Sequence, residues 1–316
     1  KIMLNKILTA IFAVLILPFS ITTANADTKS TLVILDTGLS TSEQMFSGKI
    51  INEVCFTQYN SCPNNQNFME GTGSANIPKS WSNTNDVWKH GTGMASVAIQ
   101  KNSNINIIPI RLYSMVMLKD KVTYGSINPT QDRVALALDW VLNNKDKYSI
   151  KAVSAPLGFY YAKSCNININ IQNTIKKLNA ANIAVIFSSG NNWDYQFTNE
   201  PSCIPEAISV AGLNPDGTIG QYSNLNQSVD FASTGTYNVL VPGGTFEKQI
   251  GTSVSAVSFG ADWIKVFDTK PYLTYQQEYD LIKLTSTISK QGPLTKGKVA
   301  GLVTTLPVMN IDLATK

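Results

Sequence analysis

The sequence predicts an α/β fold of three layers, with a mostly parallel central sheet flanked by helices. Short continuous apolar runs, such as Thr31–Leu35 and Ala184–Phe187, alternate with stretches of helical periodicity. Strands buried on both faces read as such runs, and the helices between them cover the two faces of a parallel sheet. Hydrophobic residues make up 43% of the 316-residue chain and charged residues 15%, which suits a sizeable core beneath a weakly charged surface.

Thr31–Leu35 reads as the first strand and stops at Asp36. Residues 41–89 are polar, rich in Asn and Ser and without periodicity, as expected of an inserted loop region with room for a short hairpin. A helix is expected from His90 to Gln100 and a strand over Ile105–Leu112. Val134, Ala137, Leu138, Val141 and Leu142 then share one helical face. A strand over Ala152–Gly158 precedes a second helical stripe at Ile171, Ile175 and Leu178. Ala184–Phe187 reads as a buried strand that stops at Ser188-Ser189-Gly190-Asn191. Shorter strands are expected at Ala207–Val210 and Val239–Val241, and helices from Ser253 to about Phe267 and from Thr274 to Leu284. No repeat, linker or composition shift divides the chain, so residues 27–316 are expected to form one domain.

The N-terminus carries Lys1 and Lys6, an apolar stretch from Ile7 to Leu17 and a small-residue site at Ala24-Asn25-Ala26. These are the three regions of a secretory signal peptide, assigned to residues 1–26. The apolar stretch is short for a bilayer span, so no stable membrane anchor is expected after cleavage. Export, to the extracellular space or the periplasm, also fits the even count of four cysteines. Four cysteines allow three connectivities, and Cys55–Cys62 with Cys165–Cys203 is the one expected. A net charge of +4 with scattered lysines gives no argument for nucleic acid. With a single histidine and no C-x-x-C pair, no metal site is assigned.

Three short runs carry the chemistry: Leu35-Asp36-Thr37-Gly38, His90-Gly91-Thr92-Gly93 and Gly251-Thr252-Ser253. An acid, a base and a nucleophile appear in that order, each beside small residues that let backbone approach closely. Ligands gather beyond the carboxyl ends of parallel strands, and Asp36 ends one. A buried carboxylate there fixes the tautomer of an imidazole and stabilises it once protonated. His90 is the only imidazole in the chain and the natural acceptor of the Ser253 proton. Ser253 opens a helix whose free N–H groups favour developing negative charge. Taken singly, Asp36 reads as a turn residue, His90 as a surface residue and Ser253 as a helix cap. Their joint occurrence is what points to catalysis.

Together the three runs resemble the subtilisin-like serine proteases, the subtilases. Ser189-Gly190-Asn191, directly after a buried strand, resembles the family's oxyanion asparagine segment. The resemblance extends from about Thr31 to the Asn310-Ile311-Asp312-Leu313 stretch. It implies a serine endopeptidase that acts on protein or peptide substrates through an acyl-enzyme on Ser253. Asp36 and His90 would complete the triad, and Asn191 would be the oxyanion donor. It also implies that the run from Ser154 to Phe159 pairs with substrate, so Leu157, Gly158, Phe159 and Gly190 are candidate substrate-binding residues. No cofactor is expected; calcium is common in the family, but no ligands for it can be assigned here. A monomer is expected.

The chain departs from the family pattern at several positions. Gly93 stands where the family usually has a second histidine, and Val257 where it commonly has a proline. Pro156 and Phe159 replace what are usually a serine and a small residue; Pro156 lacks a backbone donor and Phe159 is expected to narrow the pocket. Only Asp27 to Ser30 separate the expected cleavage site from the first strand. The family's folding propeptide therefore has no counterpart there, and the chain is expected to fold without one or with a helper encoded elsewhere. These departures motivate two other readings: an inactive subtilase-fold peptide or partner-binding protein, and an acyl-transferring peptide ligase.

Overall fold

The structure is a computed structural model and describes residues 29–159, 165–290 and 305–316. The expected signal peptide lies outside the described residues. The chain begins with β1 (Thr31–Asp36), then forms an antiparallel hairpin of β2 (Val54–Phe56) and β3 (Phe68–Glu70). A short α1 (Lys79–Ser82) leads to α2 (His90–Lys101) and β4 (Asn106–Arg111). A second hairpin, β5 (Ser114–Met117) and β6 (Tyr124–Ile127), precedes α3 (Gln131–Asn144) and β7 (Ile150–Ala155). After these come α4 (Ile169–Ala180), β8 (Ala184–Ser188), β9 (Ile208–Leu213) and β10 (Phe231–Thr234). A third hairpin of β11 (Thr236–Val241) and β12 (Thr245–Ile250) runs into α5 (Thr252–Thr269) and α6 (Tyr275–Thr285). The short β13 (Thr287–Ile288), β14 (Pro307–Val308) and α7 (Ile311–Ala314) close the chain.

Ten strands form one sheet in the order β13-β14-β10-β9-β8-β7-β1-β4-β2-β3. All neighbours pair in parallel except the two edge pairs, β2–β3 and β13–β14. β1 lies inside the sheet and every residue of it is buried. Successive side chains point to opposite faces. Leu32 and Ile34 accordingly join the core under α2 and α5, while Val33 and Leu35 join the core under α3 and α4. α5 is buried almost all round, from Val254 and Phe259 to Trp263 and Val266, as a helix must be when neighbours cover it on several sides. α3 is amphipathic, with Val134, Ala137, Leu138 and Val141 inside and Leu136 outside.

Two expectations shift at strand ends. The strand expected over Ala152–Gly158 stops at Ala155, because Pro156 has no N–H to continue the ladder. Val239–Val241 does belong to a strand, but one in the separate β11–β12 hairpin and not in the parallel sheet. Both expected disulfides are present: Cys55–Cys62 closes the loop after β2, and Cys165–Cys203 ties the segment before α4 to the loop before β9.

Candidate active site

β1 passes between β4 and β7, so chain connections leave its two sides in different directions and open a crevice at its carboxyl end. Asp36 sits at that end, 3% exposed. Its Oδ1 accepts the Thr37 N–H at 2.6 Å, which fixes the carboxylate against its own backbone. Thr37 Oγ1 in turn accepts the Gly91 N–H at 3.0 Å, and Thr92 Oγ1 accepts the Ser40 N–H at 3.0 Å. These two reciprocal bonds lock the Asp-Thr-Gly turn to the first turn of α2. They require backbone contact: a Cβ on Gly91 would lie 1.9 Å from Gly38 O.

That lock delivers His90 to Asp36. Both carboxylate oxygens lie 2.8 Å from His90 Nδ1. A carboxylate only accepts, so Nδ1 carries a proton and the lone pair of the neutral ring is on Nε2. Burial disfavours the charged ring and is the largest single influence on its pKa. The Asp36 charge and hydrogen bond together outweigh it, and the pKa is raised above the ordinary value.

Ser253 is the second residue of α5, where backbone N–H groups have no partner within the helix. Its hydroxyl donates to Pro156 O at 3.2 Å, and no hydrogen bond joins it to His90 among the described residues. Ile34, two residues before Asp36, pairs with Ser154, two residues before Pro156, so Pro156 lies at the same end of the sheet as Asp36. Ser253 therefore reaches the same end of the sheet as the Asp36–His90 pair.

Asn191 follows β8 through Gly190, whose φ of +114° is open to glycine at little strain. Asn191 Oδ1 accepts both the Thr252 N–H and the Thr252 hydroxyl, each at 2.9 Å. The amide orientation follows from these two donors and leaves Nδ2 as the free donor, 3.3 Å from where a Cβ on Gly251 would lie. The sequence reading missed this clamp, because a threonine before a serine at a helix start looks like a cap. It also missed Asn224. That fully buried side chain accepts the N–H groups of Asn192 and Asp194 at 2.8 and 3.2 Å and donates to Asn199 Oδ1 at 3.2 Å, organising the Asn191 loop.

The candidate substrate-binding residues are placed unevenly. Leu157 and Phe159 are 4% and 7% exposed, and their side chains belong to the core beneath the strand end. Their N–H groups are engaged by Ala155 O and Glu200 O, each at 2.8 Å. Gly158 packs against Asn199: a Cβ there would come within 2.9 Å of it. Gly190 N–H donates to Thr252 Oγ1 at 3.3 Å. Position 93 faces the β11–β12 hairpin, since a Cβ there would meet Val239 and Gln249 at 3.0 and 3.1 Å. Among the described residues no three His, Cys, Asp or Glu side chains cluster in a way that holds a metal ion.

Comparison with known proteins places the chain in a family and agrees with its fold. The sequence profile of the subtilase family matches residues 27–291. An intracellular serine protease of Paenibacillus polymyxa is 30% identical over 116 residues, covering 31% of this chain and 35% of that protein. Subtilisin NAT of Bacillus subtilis subsp. natto is 20% identical over 223 residues, 68% of this chain and 55% of that protein. The chain thus spans well under two thirds of the length of either relative. Among solved structures, a protease from Pseudoalteromonas arctica superposes with a TM-score of 0.68 at 16% identity, over 90% of this chain and 89% of that one. The prenylagaramide maturation protease PagA gives 0.65 at 14%, over 92% and 93%. At such identities the structural likeness is one of fold.

Proposed function

Since the chain belongs to the subtilase family, we propose that it is an exported serine endopeptidase, with Ser253 as nucleophile, His90 as general base and acid, and Asp36 as its partner. The observation that carries this reading is the Asp36–His90 pair, two 2.8 Å contacts to one ring nitrogen at the switch point of the sheet. In the proposed reaction the Ser253 hydroxyl turns from Pro156 O to His90 Nε2. Its proton passes to Nε2 as Oγ bonds the scissile carbonyl carbon, and the carbonyl π pair moves onto oxygen. Asn191 Nδ2 and the Ser253 N–H stabilise that oxyanion. Collapse restores the carbonyl and breaks the C–N bond, and the leaving amine takes the proton from His90. Water repeats the sequence in reverse roles and frees Ser253. Substrate is a protein or peptide chain lying along the Pro156–Phe159 segment and Gly190, with Leu157 and Phe159 supporting that edge from below.

Export rests on the signal-like residues 1–26. It agrees with two disulfides and with the lack, among the described residues, of a helix long and apolar enough to cross a membrane. The bond from Ser253 to Pro156 O also suits a second reading, an inactive peptide-binding member. One experiment separates the two: mapping of a fluorophosphonate probe on the folded protein, with Ser253→Ala and heat-denatured controls. Labelling confined to Ser253 in the native protein is expected. An unlabelled but folded sample overturns the enzymatic reading.

A further inference from the structure

β4 ends at Arg111, the cross-strand partner of Asp36. Arg111 is 1% exposed, yet it forms no ion pair among the described residues. A buried guanidinium without a counter-ion is costly. Asp36, the acid nearest in register, has both oxygens on His90. Arg111 Nε donates to Tyr113 O at 3.2 Å, and Nη2 donates to Ser61 O and Oγ at 2.9 and 3.1 Å. Nη1 has no acceptor among the described residues. Two indoles flank the guanidinium, with Cζ 4.8 Å from the Trp81 ring and 5.7 Å from the Trp88 ring.

Arg111 lines a cavity of about 340 Å³, walled by Ser61, Pro63, Pro78, Trp81 and Met115. Pro63 and Pro78 are exposed, so the cavity opens to solvent. Asn60, Asn65 and Asn76 line it beside these apolar groups, and its one charge is a guanidinium whose Nη1 is uncommitted, a set of donors and apolar wall that matches a carboxylate carried on a short methylene stem. Its place is also defined: Arg111 pairs with the triad acid, and Trp88 lies two residues before His90.

We infer that this cavity is a specificity subsite that takes the carboxylate of a substrate aspartate or glutamate side chain near the scissile bond. The inference rests on the proteolytic reading above, and its test is arranged to fail separately from it. End-capped peptide pairs differing only as Glu or Gln at each position are titrated calorimetrically into Ser253→Ala protein, and kcat/KM is measured for the same pairs on the wild type. Capping removes terminal carboxylates, so a response reports a side chain. The expected result is a Glu preference of about 10-fold at one position, weakened by salt. The preference should fall towards unity in Arg111→Gln, and also in Met115→Glu, where a carboxylate is supplied from the cavity wall. The second variant keeps the guanidinium should the first fail to fold. Equal Glu and Gln values at every position, in protein that cleaves neutral peptides, overturn the subsite and leave the protease standing. A preference that survives in both variants overturns it too. If no peptide is cleaved, the protease reading falls and calorimetry alone decides the subsite: Glu preference lost in Met115→Glu supports it, and equal binding overturns it.

Discussion

Thr252 directs both its backbone N–H and its hydroxyl at one atom, Asn191 Oδ1, each at 2.9 Å. The two donors select one of two amide orientations, and the selected one turns Nδ2 away from Thr252 and leaves it as a donor. Asn191→Ala is expected to lower kcat by about 10²–10³-fold with little change in KM, the size of loss known for the side-chain donor of subtilisin itself. Thr252→Val keeps the N–H bond and loses the hydroxyl bond, so its loss in kcat should be smaller, about tenfold. Steady-state kinetics of both variants checks the order; a larger loss for Thr252→Val would show that threonine does more than orient the amide.

The Asp36–His90 pair sets the pH response. Burial works against the imidazolium, but the Asp36 charge and hydrogen bond raise the pKa above its ordinary 6.5. Neutral His90 is the base, so kcat/KM should rise along a limb centred above about 6.5. In Asp36→Asn the opposing burial remains without its compensation and the limb should move down, with kcat reduced about 10⁴-fold as the wrong tautomer dominates. Stability follows the same linkage. A raised folded pKa stabilises the protein fully below the unfolded pKa, and that stabilisation is lost as pH rises through the folded value. The stability gap between wild type and Asp36→Asn should therefore narrow as pH rises from below about 6.5 through the raised folded value, as urea unfolding across that range would report.

The site was readable where chemistry depends on contiguous residues and unreadable where it depends on distant ones. β1 was legible because all its residues are buried and it ends in a motif. β12 was not, since Thr245–Ile250 is largely exposed and has no apolar alternation. β10 has only four residues, too few to carry a period. Asn224 acts through contacts made across more than twenty residues of chain, and nothing local marks it. Arg111 was likewise passed over, because a strand-ending arginine carries no motif. Only the β1–β4 register puts it beside Asp36.

Gly91 tests whether backbone contact, and not the motif as such, assembles the site. An added methyl would meet Gly38 O at 1.9 Å, and the obstacle is backbone whose next residue, Leu39, is bonded to Ala75 O and to the Ile77 N–H. Gly91→Ala is expected to destabilise by about 1–3 kcal/mol, in the range of overpacked sites, and to lower activity by separating Thr37 from α2. Gly48→Ala is the control: no heavy atom lies within 4 Å of its Cβ position, though its φ of +67° brings modest strain. Thermal melts in which both variants match would show that backbone conformation outweighs the contact.

The two disulfides should contribute unequally to stability. Cys165–Cys203 spans 38 residues and Cys55–Cys62 spans 7. Loop-closure entropy in the unfolded chain then gives about 4 kcal/mol for the longer link and about 2.5 kcal/mol for the shorter. Their places in the fold separate them further. The long link holds the loop before β9, whose residues Asn199 and Glu200 bond to Asn224 and to the Phe159 N–H, so its loss should reach the active site. The short link lies beside Ser61, which holds the Arg111 guanidinium. Replacing Cys165 and Cys203 by Ala should lower both the melting temperature and kcat. Replacing Cys55 and Cys62 should lower the melting temperature less and weaken discrimination between Glu and Gln peptides while neutral peptides are still cleaved. Melts and kcat/KM ratios on the two double variants check this; the reverse assignment of effects would mean that the loops are held by packing and not by their disulfides.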